Sequence, residues 1–214
     1  MMLPSESRAP RWERRKESRP AELLAAALDL FVERGYAATR LDAVATRAGV
    51  SKGTLYLYFD SKEELFKAVV RENIVPLIQE YRRDIDESDL PAADLLEAFF
   101  RRWWEQFGST RLAGIAKLII SEAGNFPEVA GFFHQEVIAP NGAVVASILA
   151  RGIERGEFRP VDVEAIAHLA IAPLVLKAIS AHSLDAVCPA ESLLDPRRFL
   201  AAHLDFVLAS LRRG

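Results

Sequence analysis

A short run between Ser51 and Lys62, SKGTLYLYFDSK, carries the side chains of this chain that are best suited to bind a polyanion. On a helical wheel at 100° per residue, Leu55 and Phe59 fall on one side, which must face a core. The opposite arc holds Gly53, Thr54 and Leu57, Tyr56 and Tyr58 flank it on its two sides, and Lys52 begins the helix. Ammonium and hydroxyl groups bond phosphates and base edges, so this arc indicates a helix that enters the major groove of DNA.

Four of these residues suit the floor of the groove. Lys52 and Thr54 can reach base edges, and a lysine ammonium pairs best with guanine. Gly53 has no side chain, so the backbone can approach the DNA closely. Leu57 would otherwise be an oddly exposed leucine, and it can contact a thymine methyl group.

The remaining polar groups suit the phosphates. The hydroxyls of Tyr56 and Tyr58 can bond phosphates on the two walls of the groove, and Lys62 can bind another. The alternative interpretation is that these are ordinary surface and packing residues. Two tyrosines beside a glycine in one short helix are unusual for such a surface, and we favour DNA contact.

Local signals place this helix in a helix-turn-helix. Thr39 is expected to cap a helix over residues 41–48. Gly49 permits a sharp turn, and Ser51 caps the next helix. An earlier helix is predicted to begin near Pro20, with one apolar stripe at the i, i+3, i+4 and i+7 spacing of an amphipathic helix.

Helical spacing continues through the rest of the chain, without a strand pattern. Gly35 is expected to end the first helix in a left-handed conformation. A fourth helix begins after Ser61, forms a capping box with Glu64, and runs to about Arg83 with a bend at Pro76. Further helices are predicted over residues 91–107, 110–123, 127–155, 162–182 and 196–212. The fold class is therefore all-α, with an N-terminal three-helix head and a larger C-terminal helical bundle.

Composition and charge restrict the classes of protein that fit. The net charge of −3 argues against a nonspecific polybasic binder, yet residues 1–62 hold 11 Lys/Arg and 8 Asp/Glu, against 16 and 22 over residues 63–214. A basic head on an acidic body suits a local DNA contact. The longest uncharged apolar run, Ala165–Leu176, is too short to span a bilayer. Cys188 has no intrachain partner, and a cytoplasmic location is expected.

The run from Thr39 to Leu65, TRLDAVATRAGVSKGTLYLYFDSKEEL, resembles the helix-turn-helix of the TetR family of bacterial transcriptional regulators. The shared pattern contains Ala-Gly-Val-Ser, a Gly-Thr-Leu-Tyr-x-Tyr-Phe core and Ser-Lys-Glu-x-Leu. The resemblance covers residues 20–66. Small departures are Arg40, where a second threonine is common, and Val44, where isoleucine is usual.

The resemblance implies a homodimer that binds a palindromic double-stranded DNA operator, usually as a repressor, and that a small-molecule effector releases. The DNA contacts that it implies are Thr39, Lys52, Gly53, Thr54, Tyr56, Tyr58 and Lys62. The expected domains are a flexible basic tail over residues 1–17, a helix-turn-helix domain over 18–65, and an effector-binding and dimerisation domain over 66–214. The tail arginines at positions 8, 11, 14 and 15 would either add DNA contacts or remain solvated.

The last two predicted helices are apolar on more than one face. A helix that is apolar all round must be buried all round, and a second copy of the chain is the simplest cover. Burial inside a monomer is the alternative. The resemblance implies a four-helix dimer bundle, and the candidate interface residues are Ile166, Ala170, Leu174, Phe199, His203, Phe206 and Val207.

Aromatic residues concentrate in the middle helices, where the family encloses its effector. The candidate lining residues are Trp103, Phe107, Phe133 and His134. Core packing is the commoner role for any single aromatic. The apolar character of the set favours an apolar or aromatic effector.

Enzyme function finds little support in the sequence. There is no phosphate loop, nucleophile elbow or zinc-type cluster, so neither a metal nor a cofactor is expected. The remaining alternatives are a transcriptional activator and a helical ligand-binding or interaction protein without DNA affinity. The arc around Gly53 argues against the latter.

Overall fold

The computed structural model describes residues 11–185, 187–188 and 194–212. All regular elements in this part of the chain are helical, which confirms the predicted all-α class. The chain forms two compact units, Met1–Val69 and Val70–Gly214, and the boundary between them falls within one helix.

The first unit holds four elements: α1 (Arg11–Ala38), α2 (Leu41–Arg47), α3 (Lys52–Tyr56) and the first part of α4 (Lys62–Asn73). The predicted start of α1 near Pro20 is wrong, because the helix begins at Arg11. Residues 11–19 are rich in Arg, Glu and Lys, which are good helix formers, so the helix extends through a segment expected to be mobile. Arg8 lies outside the described residues, as do the side chains of residues 11–18.

An aromatic cluster forms the centre of this unit. The Phe31 ring lies 5.4 Å from the Phe66 ring, edge to face, and 5.8 Å from the Tyr36 ring. Phe31 and Phe66 are fully buried, and each such ring contributes roughly 1.5–3 kcal/mol through burial. The predicted break at Gly35 lies beside this cluster, with φ at +83°. The cluster therefore joins the end of α1 to α4.

The predicted single helix from Ser61 to Arg83 is two helices in the structure. α4 ends at Asn73, and α5 (Val75–Asp86) begins after Ile74. Pro76 lies in the first turn of α5, where its missing N–H group costs nothing, since the first N–H groups of a helix have no partner within it. The proline therefore starts a helix instead of bending one.

The second unit is an all-helical body. Its elements after α5 are α6 (Ala92–Trp103), α7 (Ala113–Glu122), α8 (Pro127–Phe133), α9 (Ala139–Glu154), α10 (Val163–Ala181) and α11 (Pro196–Leu211). α9 packs against α5, α6 and α10. At Gly152 an added Cβ would collide with the Phe158 ring and lie 2.8 Å from Ala92, so glycine allows this close packing.

Two π-helical turns interrupt the helices of this unit, at Trp104–Gly108 and His134–Ile138. The second joins α8 to α9 just before Pro140, which lacks an N–H group and disfavours regular α-helical bonding there. In the first, a Cβ at Gly108 would lie 2.8 Å from both Trp103 and Trp104. These turns set which aromatic side chains face the interior.

Two helical stretches are as long and apolar as membrane spans, Pro127–Glu154 and Val163–Ala181. The second is α10, with a mean hydropathy of 1.6. It packs along α9 and against α7 and α11, and it contains Pro173 and Lys177. Length and hydropathy alone do not separate a span from a helix that covers a soluble core.

Candidate nucleic-acid interface and ligand cavity

The helix with the polyanion-binding arc, α3, is positioned by local bonds and one buried leucine. Gly49 has φ at +67° and makes the predicted sharp turn from α2. Ser51 then caps α3, since its Oγ accepts a hydrogen bond of 3.1 Å from the Thr54 N–H group. Leu55 is fully buried and fixes the inward side of the helix. The opposite side must therefore face away from the core of the unit.

The outward side of α3 is exposed as the wheel predicts. Leu57 is 82% exposed and Tyr56 is 43% exposed. Lys52 and Gly53 are also exposed, whereas Thr54, Tyr58 and Lys62 are half-buried. A leucine this exposed loses the benefit of burial, so a partner that covers it would stabilise the complex.

Gly53 has no structural requirement within the chain. A Cβ at this position would meet a single neighbour, the Ser51 Oγ at 3.8 Å, and the backbone φ does not lie in the left-handed region. An alanine would fit and would favour the helix. The absence of a side chain is therefore better explained by close approach of an external surface.

An ion pair orients the first side chain of α3. The Lys52 ammonium lies 2.8 Å from a carboxylate oxygen of Asp42 on α2. Hydrogen bonding to Asp42 raises the pKa of Lys52. The ammonium also lies 5.8 Å from the centre of the Tyr56 ring. Lys52 therefore stays protonated and is held on the outward side of the head.

The role predicted for Thr39 as the cap of α2 is wrong. The N-cap residue is Arg40, without a side-chain cap, and Thr39 is 2% exposed. The Thr39 hydroxyl lies 2.7 Å from the Gly35 carbonyl oxygen and 3.1 Å from that of Leu30, both of which can accept its hydrogen bond. Its hydroxyl is thus used within the head, where it fixes the end of α1 to the start of α2.

Lys62 also bonds within the head. Its Nζ donates to the carbonyl oxygens of Tyr36 at 2.7 Å and Ala37 at 3.1 Å, and it lies 4.5 Å from the centre of the Tyr36 ring. The carbonyl groups at the end of α1 attract a cation, as helix C-termini do. This arrangement joins the start of α4 to α1.

A shallow concavity beside α2 contains a cation that the sequence analysis did not select. Arg34, Arg40 and Arg47 line it. Arg47 is bonded to Glu33 at 2.9 Å. Arg40 is exposed and forms no ion pair with any described residue. A guanidinium that is not engaged in an ion pair can bond a phosphate through two N–H groups.

The second unit contains an apolar cavity of about 410 Å³. Three of the four aromatic candidates, Trp103, Phe107 and Phe133, line it. His134 does not line it and is exposed, because the residue after Phe133 points about 100° away around the helix. The cavity has the size of small-molecule sites, which span roughly 300–1,000 Å³.

Besides the indole of Trp103, two side chains with polar groups line the cavity, and neither was predicted from the sequence. Asn141 on α9 donates from Nδ2 to the Val137 carbonyl oxygen at 3.1 Å. His168 on α10 lies at 2.9 Å, through Nδ1, from the Glu164 carbonyl oxygen. Each is anchored to the turn before it, which leaves Nε2 of His168, and both Oδ1 and the second Nδ2 hydrogen of Asn141, for other partners.

Four of the seven dimer candidates are buried inside the second unit: Ala170, Leu174, His203 and Val207. They occupy the faces with which α10 and α11 meet their own unit. The His203 Nε2 donates to the Ala170 carbonyl oxygen at 2.8 Å, since a carbonyl can only accept. Burial lowers the pKa of His203, and the bond to Ala170 opposes this.

The other faces of α10 and α11 carry exposed apolar side chains. Phe206, one of the candidates, is 74% exposed, and Ile166 and Phe199 are half-buried. Leu169 and Leu176, which the sequence analysis did not select, are also exposed. Because α10 and α11 are each apolar on more than one face, the sequence could not show which apolar face points outward.

No group of three or more His, Cys, Asp or Glu side chains in the described part of the chain could hold a metal ion. His182 bonds through Nε2 to the Thr110 carbonyl oxygen at 3.0 Å. The polar chemistry of the described residues therefore lies in the outward arc of α3 and the two anchored groups of the cavity.

Family models match both units. Residues 23–69 match the model described as bacterial regulatory proteins of the tetR family. Residues 89–191 match the model of a tetracyclin repressor-like C-terminal domain. The first match covers the helix-turn-helix, and the second covers most of the helices that surround the cavity.

Curated relatives are regulators of transcription. The transcriptional repressor KstR2 of Mycobacterium tuberculosis is 31% identical over 153 residues, which is 70% of this chain and 74% of the relative. The transcriptional activator FasR of Mycolicibacterium smegmatis is 41% identical over 97 residues, and the chain spans 42% of its length.

Solved structures share the fold. FadR from Bacillus subtilis, in complex with stearoyl-CoA, superposes with a TM-score of 0.73 at 19% identity, covering 90% of this chain and 99% of that one. KstR2 of Mycobacterium tuberculosis, a ketosteroid transcriptional regulator, superposes with a TM-score of 0.66 at 24% identity, over 92% and 96% of the two chains.

Proposed function

From the premise that this chain belongs to the TetR family of bacterial transcriptional regulators, we propose that it represses transcription from a palindromic operator and that an apolar effector releases it. The family is not enzymatic, and its members bind DNA through the helix-turn-helix. A DNA-binding regulator acts in the cytoplasm. The proposal also states which residues contact DNA, how two copies pair, where the effector binds, and that transcription is repressed and not activated.

The outward side of α3 carries the proposal. A side chain at position 53 would clash with no described residue, and the Leu57 side chain is 82% exposed. Both facts fit a helix that a DNA groove covers. We assign base contacts to Lys52 and Thr54, and phosphate contacts to the Tyr56 and Tyr58 hydroxyls. Arg40 joins the phosphate contacts.

Thr39 and Lys62 have different parts in this proposal. Their polar groups are bonded to the carbonyls near the end of α1. We therefore assign them to positioning α2 and α4 within the head.

Two copies are proposed to pair through the exposed faces of α10 and α11. Leu169, Leu176 and Phe206 lie on these faces, and their burial would supply an apolar interface. A two-fold dimer presents two α3 helices to half-sites one helical turn apart, about 34–36 Å. Operator palindromy then follows from protein symmetry.

The effector is proposed to fill the cavity of the second unit. Its aromatic and aliphatic lining suits a hydrocarbon group, and stearoyl-CoA, which is bound in the structure of FadR from Bacillus subtilis, contains such a group. An effector weakens operator binding to the extent that it prefers the state in which the two heads no longer match the DNA.

The proposal is tested by fluorescence anisotropy with DNA from upstream of the protein's own gene. Tyr56→Ala and Leu57→Ala should each weaken binding by about tenfold or more, and binding should fall steeply with salt. Leu90→Ala is the matched control, because Leu90 is an exposed leucine of the second unit. Equal effects of Leu57→Ala and Leu90→Ala would remove α3 from the interface.

The direction of regulation has its own test. A reporter gene placed behind the bound DNA should be expressed less when the protein is present. Higher expression would assign activation instead, the role that the name of FasR gives to that relative.

A further inference from the structure

The cavity of the second unit is open on one side. Three of its apolar lining residues, Ile120, Ile138 and Leu176, are 66%, 48% and 66% exposed. His168 and Ala172, which also line it, are exposed as well. Apolar lining that stays in contact with water gives up the benefit of burial. The wall of the cavity is therefore incomplete where these side chains lie.

Helix α10 forms one edge of this opening. At 100° per residue, the exposed residues of α10 between positions 165 and 176 fall on one arc of about 140°. His168 lies at one edge of this outward stripe, Pro173 at the other, and Leu176 between them. His168 and Leu176 line the cavity, whereas Leu169 and Pro173 do not. The outward stripe of α10 and the mouth of the cavity are thus partly the same surface.

Most of α10 is not covered by its own chain. Only 22% of the helix is buried, although its mean hydropathy is 1.6. Its fully buried residues Ala167, Ala170, Leu174 and Ala178 occupy the side opposite the outward stripe. An exposed apolar surface of this extent marks an interaction site.

The charges around the outward stripe favour a second copy of the chain as its cover. Residues 165–176 contain no Asp, Glu, Lys or Arg, so two copies can meet there without like charges. On α11, Arg198 and Asp205 are exposed on one side of the helix, two turns apart, and Phe206 is 74% exposed beside them. A two-fold axis between the two charges brings each opposite its counterpart of the other sign. Burying Asp205 in hydrocarbon would be costly, which argues against a lipid surface.

We propose that a second copy of the chain closes the effector cavity, so that the ligand site is complete only in the dimer. The inference rests on the proposed function, because it takes the cavity as the effector site and α10 and α11 as the pairing faces. A partner that covers Leu169 and Leu176 also lies over the mouth of the cavity, since both residues belong to the outward stripe. Ligand binding and pairing then strengthen each other by the same factor.

The wild-type protein tests this dependence without any substitution. Decyl alcohol is the probe, because the lining suits a hydrocarbon chain, and tryptophan fluorescence reports its binding, because Trp103 lines the cavity. Sedimentation equilibrium measures the dissociation constant of the dimer with and without the alcohol. A saturating probe should tighten the dimer by about tenfold or more. An unchanged constant would overturn the inference and leave both the cavity and the dimer in place.

Variants test the same dependence from the other side. Leu169→Arg and Phe206→Arg place a charge on the pairing faces, and neither residue lines the cavity. Each variant should be monomeric and should bind decyl alcohol about tenfold more weakly than the wild type. Leu90→Arg is the matched control, because Leu90 is an exposed leucine outside the outward stripe, and it should change neither property. Monomers that bind the alcohol as tightly as the wild type would refute the shared site.

Three other results would also overturn the inference, and they separate it from the proposed function. Variants that stay dimeric with full affinity would move the pairing face away from α10 and α11. A wild-type protein that binds no decyl alcohol would remove the cavity as an apolar ligand site. A wild-type protein that stays monomeric and floats with phosphatidylcholine vesicles would assign the outward stripe to a lipid surface. Operator binding by the wild type is measured separately, by anisotropy.

Discussion

Lys52 on α3 is bonded to Asp42 on α2, with 2.8 Å between the ammonium nitrogen and a carboxylate oxygen. Both side chains are largely exposed, so the pair is accessible to an incoming anion. The carboxylate holds Lys52 in place, but it also competes with any phosphate or base for the same ammonium. The head thus contains both the cation that we propose to bind DNA and a carboxylate that competes for it.

Replacing Asp42 should strengthen DNA binding. Asp42→Asn removes the competing charge, and affinity for operator DNA should rise by about two- to fivefold, the scale of one exposed ion pair. Anisotropy titrations at several salt concentrations measure this. Asp86→Asn makes the same charge change in the second unit and should have little effect. A weaker complex for Asp42→Asn would mean that orientation of Lys52 outweighs competition.

Lys62 is expected to stabilise the head. Lys62→Met removes its bonds to the Tyr36 and Ala37 carbonyl groups and should cost about 1–3 kcal/mol in free energy of unfolding, measured by urea denaturation. Lys67→Met on the same helix breaks exposed ion pairs with Glu63 and Glu64 and should cost less than 1 kcal/mol. Unchanged stability with a shallower salt dependence of DNA binding would instead make Lys62 mainly a phosphate contact.

We expect that even a methyl side chain will not fit at position 152 without loss of stability. Gly152→Ala places a methyl group against Phe158 and Ala92 and should destabilise the second unit by about 1–3 kcal/mol. Gly131→Ala is the control, because a Cβ there meets nothing within 4 Å, and it should stabilise by about 0.4–1 kcal/mol. Thermal denaturation of both variants measures the difference in their stability. Similar melting temperatures for the two variants would contradict the close contact of position 152 with Phe158 and Ala92.

His203 should make stability depend on pH. Burial lowers its pKa below the ordinary 6.5, so the unfolded chain binds a proton more readily than the folded one. Stability contributed by neutral His203 is therefore complete above pH 6.5 and is lost as the pH falls through the lowered value.

The variant His203→Phe isolates this effect. It retains an aromatic ring beside Phe199 and Phe100 but cannot titrate. Urea denaturation at about pH 7.5 and about pH 5.5 should show a smaller pH dependence for the variant than for the wild type. His134→Gln, at an exposed histidine, is the control. An unchanged dependence in His203→Phe would locate the titration elsewhere.

The break at Pro76 should affect coupling between the effector and DNA. Pro76→Ala restores an N–H group at the junction of α4 and α5 and favours one continuous helix. We expect the loss of operator affinity on adding effector to shrink, measured by anisotropy with and without the ligand. Unchanged coupling would remove Pro76 from the mechanism.

Local chemistry made much of the head predictable. Gly49, Ser51 and Leu55 each act within a few residues, through a backbone angle, a cap and a buried face. Thr39 and Lys62 differ, because their partners at the end of α1 lie up to 26 residues away and depend on tertiary packing. Sequence spacing carries no signal for such contacts.

The second unit was predictable in its helices but less so in its site. Three aromatic lining residues followed from their clustering, whereas His134 was wrong because it directly follows Phe133 and points away from the cavity. Asn141 lies among apolar neighbours and looks unremarkable in the sequence. Its place in the cavity lining depends on the tertiary packing of α9, for which the sequence carries no signal.

Helix α3 itself is five residues long, which is less than two helical turns. A segment of that length has no stability of its own in water and exists because its cap and Leu55 hold it. Damage anywhere in the core of the head would therefore abolish operator occupancy while the effector cavity stays intact. In a cell, such alleles would mimic permanent induction, although the altered residue touches neither DNA nor ligand.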